Sequence, residues 1–194
     1  MQPSGVVRRQ RIRDLQAKTR RADIEAHIRN HCGSTDALEW LTAAEYDAAA
    51  FEDHVTVTTR RMQLRAGTVW EMARPRGDTA QILKVPHARQ TDRVYVYFGR
   101  LGWFGVARYP LLEVERSLES FAAAGSGCVS YISPDLTSWL TIDIDESPDD
   151  IEYSVRGEYW VSMIADSSGW AVRQWCGSDA EQVRTGPFDV RRHP

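Results

Sequence analysis

The spacing of apolar positions changes along the chain. In residues 7–31, "VRRQRIRDLQAKTRRADIEAHIRNH", Ile12, Leu15, Ala22 and Ala26 fall near helical spacing, and Ile24 and Ile28 stand four apart. This predicts a helix with a thin apolar stripe and arginines over most of its remaining surface. Gly33 stops it, and Ser34 or Thr35 can cap a second helix over 36–51, with Leu38, Leu41 and Tyr46 turned inward. That second helix can break at Leu41, because Thr42 makes a new N-cap and Glu45, three residues on, completes a capping box. In the stretch 54–72, "HVTVTTRRMQLRAGTVWEM", the β-branched "VTVTT" favours a strand while "TTRRMQLRA" tolerates helix, and strand is the preferred reading; "ARPRGDT" reads as a turn or loop.

Past residue 80 the period shortens. "AQILKV" reads as a short strand and "DRVYVYFGR" alternates as a strand should, while "LGWFGVARYP" reads as a glycine-aromatic connection. In "PLLEVERSLESFAAAG", Pro110 opens a helix, Leu111, Leu112, Val114, Leu118 and Phe121 supply its core face, and Gly125 ends it. "GCVSYIS" is a strand, "PDLT" a turn and "SWLTIDID" a second strand. Its alternation puts Trp139, Thr141, Asp143 and Asp145 on one face and Leu140, Ile142 and Ile144 on the other. "ESPDD" makes a hairpin loop, "IEYSVRGEYWVSMIAD" continues as strand into a short helix, "SSGW" turns, and "SDAEQVRTGPFDVRRHP" reads as irregular. The connections after residue 127 are too short for crossovers, so these strands form an antiparallel meander. The expected fold class is α+β: N-terminal helices followed by a mostly antiparallel sheet with one packed helix. The helical segment covers 1–52 and the α+β domain 53–194, either as an appendage and a body or as one continuous domain.

Composition adds limits. A chain of 194 residues with 42% hydrophobic content can bury a core without cross-links. Cys32, Cys128 and Cys176 are odd in number and form no CxxC pair, so reduced thiols are expected rather than a disulfide framework or structural zinc. The N-terminus is basic but lacks the apolar core of a signal peptide, and no apolar run reaches the length of a membrane span, so a cytoplasmic location is expected. Lys18 and Lys84 are the only lysines.

Several chemistries then fail on particular residues. A calcium loop begun at Asp143 has Asp145 and Ser147 in order, but Pro148 stands where glycine must turn and Ser154 where a bidentate glutamate is needed. Pro134 and Asp135 ahead of an acidic strand resemble the start of a PD-(D/E)xK nuclease pattern. No lysine follows Lys84, however, and Arg156 gives up a proton too reluctantly to replace one. His27 and His31 share a helical face beside Cys32, yet Ile28 occupies the position of the catalytic glutamate in HExxH and nothing supplies the remaining zinc ligands. "AAAGSGCVS" runs from helix to strand, the reverse of a dinucleotide loop, and "GRLGWFG" reads as a tight loop that packs Trp103 and Phe104 on the core. No GxSxG element or Ser-His-Asp set can be assembled. No cofactor, metal or catalytic residue is therefore assigned, although an enzyme with a less obvious site stays open.

Charge is distributed unevenly. Between Arg8 and Asn30 stand eight basic and three acidic residues; between Ser133 and Trp170 stand nine acidic residues and one basic residue, Arg156. The acidic region is interleaved with Trp139, Tyr153, Tyr159, Trp160 and Trp170, and aromatic anchors within a charged surround are a recurrent source of affinity and speed at protein interfaces. Over residues 94–170 this general character resembles the immunity proteins of bacterial toxin–immunity systems. The resemblance implies a non-catalytic module that neutralises a cationic, nuclease-type toxin domain. The surface it implies comprises Trp139 as an exposed anchor, with Asp143, Asp145, Glu146, Asp149, Asp150 and Glu152 around it. The rival expectation is a nucleic-acid-binding protein that uses Arg8, Arg9, Arg11, Arg13, Arg20 and Arg21 of the first helix. Solvated charge on both regions, pairing with each other, would account for the asymmetry without either partner.

Overall fold

The computed structural model describes residues 5–32, 35–54, 66–78, 80–99, 104–144, 149–176 and 181–184. Helix α1 is Gly5–Cys32. Strand β1 (Glu39–Trp40) precedes helix α2 (Ala43–Ala48) and a helical turn at 51–54. Strands β2 (Ala66–Pro75), β3 (Arg93–Tyr97) and β4 (Val106–Pro110) follow. A 3₁₀ turn, Leu111–Glu113, leads into α3 (Val114–Ala124), then β5 (Cys128–Ile132), β6 (Trp139–Asp143) and β7 (Asp150–Arg156). A short α4 (Glu158–Val161) precedes β8 (Ala171–Cys176) and β9 (Glu181–Arg184).

The strands form one sheet in the order β1-β4-β3-β5-β6-β7-β2-β8-β9, and all pairings are antiparallel. The expected α+β architecture is observed. One face of the sheet presents Val94, Val96, Tyr131, Leu140, Ile142, Tyr153 and Val155 to the apolar side of α3, chiefly Val114, Leu118 and Phe121. On the other face, Leu41, Tyr46 and Phe51 lie over Val106, Ile132 and Trp139 at one end.

Residues 36–51 do not form one continuous helix. The Thr42 side chain accepts from the Glu45 N–H while the Glu45 carboxylate accepts from the Thr42 N–H, so α2 starts afresh there. The preceding residues are freed to extend, and Glu39 and Trp40 pair with Arg108 and Ala107. Residues 106–110, expected as part of a connection, are strand β4, because the ladders to β1 and β3 satisfy its backbone on both sides. "AQILKV" contributes a single bridge, Leu83 to Ile164, rather than a strand. The turn expected at "ARPRGDT" begins later, since Ala73, Arg74 and Pro75 still pair with β7. Within the tail expected to be irregular, Glu181–Arg184 is a strand; residues 185–194 lie outside the described residues, as does 55–65 of the stretch read as strand.

The face that α1 buries is not the stripe read from Ile12, Leu15, Ala22 and Ala26. Ala17, Arg21, Ile24 and Ile28 face inward, while Ile12 is 47% and Leu15 68% exposed. Arg21 is only 9% exposed. Its Nε donates to the Phe104 carbonyl at 2.6 Å, an Nη donates to the Leu41 carbonyl at 2.7 Å, and the guanidinium lies 5.0 Å from the Trp40 ring centroid. Around it, Asp14 accepts from the Ala43 N–H at 2.8 Å, Arg13 pairs with Asp47 at 2.8 Å, and the Trp40 indole donates to Glu25 at 2.6 Å. The segment 1–52, as far as it is described, is therefore packed into the same body as the sheet.

One glycine fixes the end of the hairpin. Gly157 adopts φ +82°, and a Cβ there would stand 2.2 Å from the Ser138 hydroxyl. The close approach lets Ser138 accept from the Tyr159 N–H through its hydroxyl and from the Trp160 indole through its carbonyl, which seats α4 on the sheet. Among the described residues, no helix is long and apolar enough to cross a membrane.

Candidate partner-binding surface

The β6–β7 hairpin is built by strict alternation. Leu140 and Ile142 on β6, and Ile151, Tyr153 and Val155 on β7, enter the main core. Their neighbours must point the other way, and the register aligns them: Trp139 opposite Arg156, Thr141 opposite Ser154, Asp143 opposite Glu152. Adjacent strands extend this surface. Ser130 and Thr141 share a hydroxyl hydrogen bond of 2.9 Å, and β2 places Glu71 beside Ser154 and Ala73 beside Glu152. Asp150 starts β7 on the same face, opposite Pro75.

The open end of the hairpin is tied down by the turn after β2. The Arg76 N–H donates to the Asp149 carbonyl at 2.9 Å, and its guanidinium donates to the Ile144 carbonyl at 2.5 Å. Asp149 is exposed at this turn, Glu152 is exposed on the strand, and Asp143 and Asp150 are half-buried. Asp143 stands directly opposite Glu152 in this antiparallel register, so two carboxylates share one cross-strand position. At the far end of the same strand the half-buried Arg156 has its pKa lowered by desolvation, with the charge of Glu71 acting in the opposite direction.

Of the residues assigned to this surface from the sequence, Asp143, Asp150 and Glu152 share a sheet face, with Asp149 at its rim. Asp145 and Glu146 lie outside the described residues. Trp139 is on the same face by register, but it is not an exposed anchor. It is 6% exposed, packed among Leu41, Tyr46, Phe51, Val106, Ile132 and Leu136, and meets Tyr97 edge-on at 6.4 Å. The correction has a tertiary cause: α2 and the turn after it lie over this end of the sheet, and the pattern of β6 alone carries no trace of that cover. Trp160 and Trp170 are buried as well, and Tyr159 is half-buried.

The arginines of the rival site are divided between two roles. Arg8, Arg9 and Arg11 are exposed, and Arg20 is exposed with its guanidinium 5.5 Å from the Phe104 ring centroid. Arg13 and Arg21 instead fasten α1 to the rest of the molecule. Of the candidate zinc ligands His27 is half-buried, and among the described residues no three histidine, cysteine or acidic side chains gather as a metal-holding group. Trp103 lies outside the described residues.

Sequence reading passed over the carboxylates of α3, Glu115 and Glu119. Their available signal was the polar side of "EVERSLES", which reads as ordinary solvated helix surface until the neighbouring chain is placed. Comparison of the chain with protein-family models, with curated proteins and with solved structures finds no match.

Proposed function

We propose that this protein is a non-catalytic binding module that captures a basic protein partner on the acidic face of the β6–β7 hairpin. In this reading it acts as a cytoplasmic immunity protein would, occupying the cationic substrate-binding face of a nuclease-type toxin. The observation that carries the reading is the register that gathers Asp143, Asp150 and Glu152 on one sheet face, with Asp149 exposed at its edge. A rigid ladder holds these charges in place before the partner arrives, and preorganised charge of one sign accelerates encounter with a partner of the other. Trp139 has a supporting role, since it braces the strand from beneath α2.

The test is stopped-flow association with the product of the adjacent gene, at low and at high salt, together with suppression of that product's nuclease activity. Neutralising Asp143, Asp149 and Asp150 to Asn and Glu152 to Gln is expected to slow association about tenfold at low salt and to flatten its salt dependence. Circular dichroism serves as the control for folding. A folded parent chain that forms no complex overturns the reading, as does a neutralised variant that associates at the parent rate. Salt-sensitive binding to nucleic acid, lost when Arg8, Arg9 and Arg11 are replaced by Ser, would overturn it in favour of the rival function.

A further inference from the structure

A second acidic site lies on the opposite side of the sheet, between α3 and the connection that follows β2. The Glu115 carboxylate fastens the two, accepting from the Ile82 N–H at 2.7 Å and the Leu83 N–H at 2.9 Å. Beside this join opens a cleft of about 1110 Å³, whose lining includes Asp78, Tyr109, Leu112, Glu119 and Tyr153.

The acids of the cleft are not equivalent. Glu113 faces Arg116 at 3.5 Å, Glu115 is occupied by two backbone N–H groups, and Asp78 accepts from the Ala80 N–H at 2.9 Å with Arg74 at 3.9 Å. Glu119 is exposed at the rim and has no such partner among the described residues.

Tyr153 supplies a second, independent observation. It rises from β7 on the core side and is only 4% exposed, yet it lines the cleft. Its hydroxyl makes no hydrogen bond among the described residues, whereas the buried Tyr46 and the half-buried Tyr159 donate to Glu52 and Asp92. Burial raises its pKa, and among the surrounding charges Glu119 contributes most to that rise. The hydroxyl oxygen is not sealed from solvent as the indole nitrogens of Trp139 and Trp170 are, so it opens toward the cleft and can accept from a donor that enters it. At the mouth stands Leu112, the one exposed large hydrophobic among the described residues that does not belong to α1.

We propose that this cleft binds an alkyl cation, an ammonium or guanidinium carried on an aliphatic stem. The charged head donates to the Glu119 carboxylate and to the Tyr153 oxygen, the Tyr153 hydroxyl is left free to donate to Glu119, and the stem lies along Leu112 and Tyr109. A charge-assisted bond to the Glu119 carboxylate, with the Tyr153 oxygen beside it, selects a cation over a neutral amide of the same shape. Tyr153 and Glu152 are neighbours on one strand and point to opposite faces, so the site is independent of the hairpin surface.

The same chemistry reaches the cleft either as a free alkylamine or as an arginine side chain of another protein, and two probes separate the sources. Agmatine and Nα-acetyl-arginine-N-methylamide are titrated by calorimetry into the full chain, with N-butylurea as the neutral control. Saturable one-to-one binding of at least one cation is expected, with none for the urea. Affinity is expected to fall about tenfold or more in Glu119→Gln and in Tyr153→Phe. The first substitution is at an exposed position and the second keeps the buried ring, so both variants should retain cooperative unfolding. Preference for agmatine identifies a free amine, and preference for the blocked arginine identifies a protein side chain. The proposal is overturned if neither cation saturates the folded parent chain, or if Glu119→Gln binds as the parent does. Binding that falls instead in Asp143→Asn would place the cation on the hairpin and also sink the cleft assignment.

Discussion

Helices α1 and α3 pack against each other and against the same side of the sheet, but they are attached by different forces. Helix α3 buries Val114, Leu118, Phe121 and Ala122 in one stripe, and Phe121 alone meets Phe98, Tyr109 and Tyr131 at ring-centroid distances of 5.8, 5.0 and 6.3 Å. Helix α1 offers the core little more than Ala17, Ile24 and Ile28, and is held over the rest of its length by Arg13, Asp14, Arg21 and Glu25. An apolar stripe finds its place wherever a greasy surface is available. A polar clamp holds only where particular carbonyls and N–H groups are already positioned. Helix α1 is accordingly the more dependent of the two on the finished fold, and burial lowers the pKa of its buried arginine against the opposing pull of Asp14 and Glu25.

The largest effect should come from removing α1. Deleting residues 1–30 takes away Arg21, Ile24 and Ile28 together and uncovers the core beneath them. The expected loss exceeds about 5 kcal/mol, comparable with the stability of a whole domain, and so abolishes the cooperative transition in urea. A truncated chain that unfolds at the parent midpoint would show that α1 is an appendage after all.

Single substitutions then separate the two modes of attachment. Phe121→Ala should cost about 3–5 kcal/mol in chemical denaturation, as truncation of a buried aromatic does, and Phe121→Leu should recover much of it. Arg21→Met should cost roughly 2–4 kcal/mol, because it strands the Leu41 and Phe104 carbonyls. Here the conservative replacement should help little, since a lysine cannot reproduce the guanidinium fork. If Arg21→Lys were silent, a charge alone would suffice at this position and the clamp would not depend on geometry.

The smallest effect is a pH dependence at the foot of α2. The Thr42 N–H, followed by Arg108 and the Thr42 hydroxyl, holds the Glu45 carboxyl down to about 2, against an ordinary value of 4.5. A folded pKa below the unfolded one contributes stability above the unfolded value, and that contribution disappears as pH falls through the interval from 4.5 to about 2. Because the Glu45 side chain is 40% exposed, solvent screening keeps the contribution below about 1 kcal/mol. Glu45→Gln should therefore lower the melting temperature slightly near neutral pH and converge with the parent toward pH 2. A gap that persists unchanged to the acid end would mean that Glu45 acts through packing rather than charge.

The parts of the molecule legible in the chain are those whose cause is local. The capping box at Thr42 and Glu45 needs four consecutive residues, the core stripe of α3 needs three turns, and the alternation of β5, β6 and β7 needs only neighbouring positions. That alternation also put Asp143 on the outward face of β6, whereas the pairing that sets Glu152 opposite it and starts β7 at Asp150 came from the fold. Tertiary structure decided what depends on elements distant in sequence. The face that α1 buries is set by carbonyls at residues 41 and 104, which let a charged Arg21 go inward while Leu15 stays outside. Trp139 is covered because Phe51, some ninety residues earlier, comes to lie in the same cluster. The cleft of Glu119 and Tyr153 exists only where a helix and a strand from different parts of the chain approach a third segment. Periodicity shows that a residue has an inward or outward side, whereas burial depends on which distant neighbour arrives to cover it, and only the assembled fold supplies that neighbour.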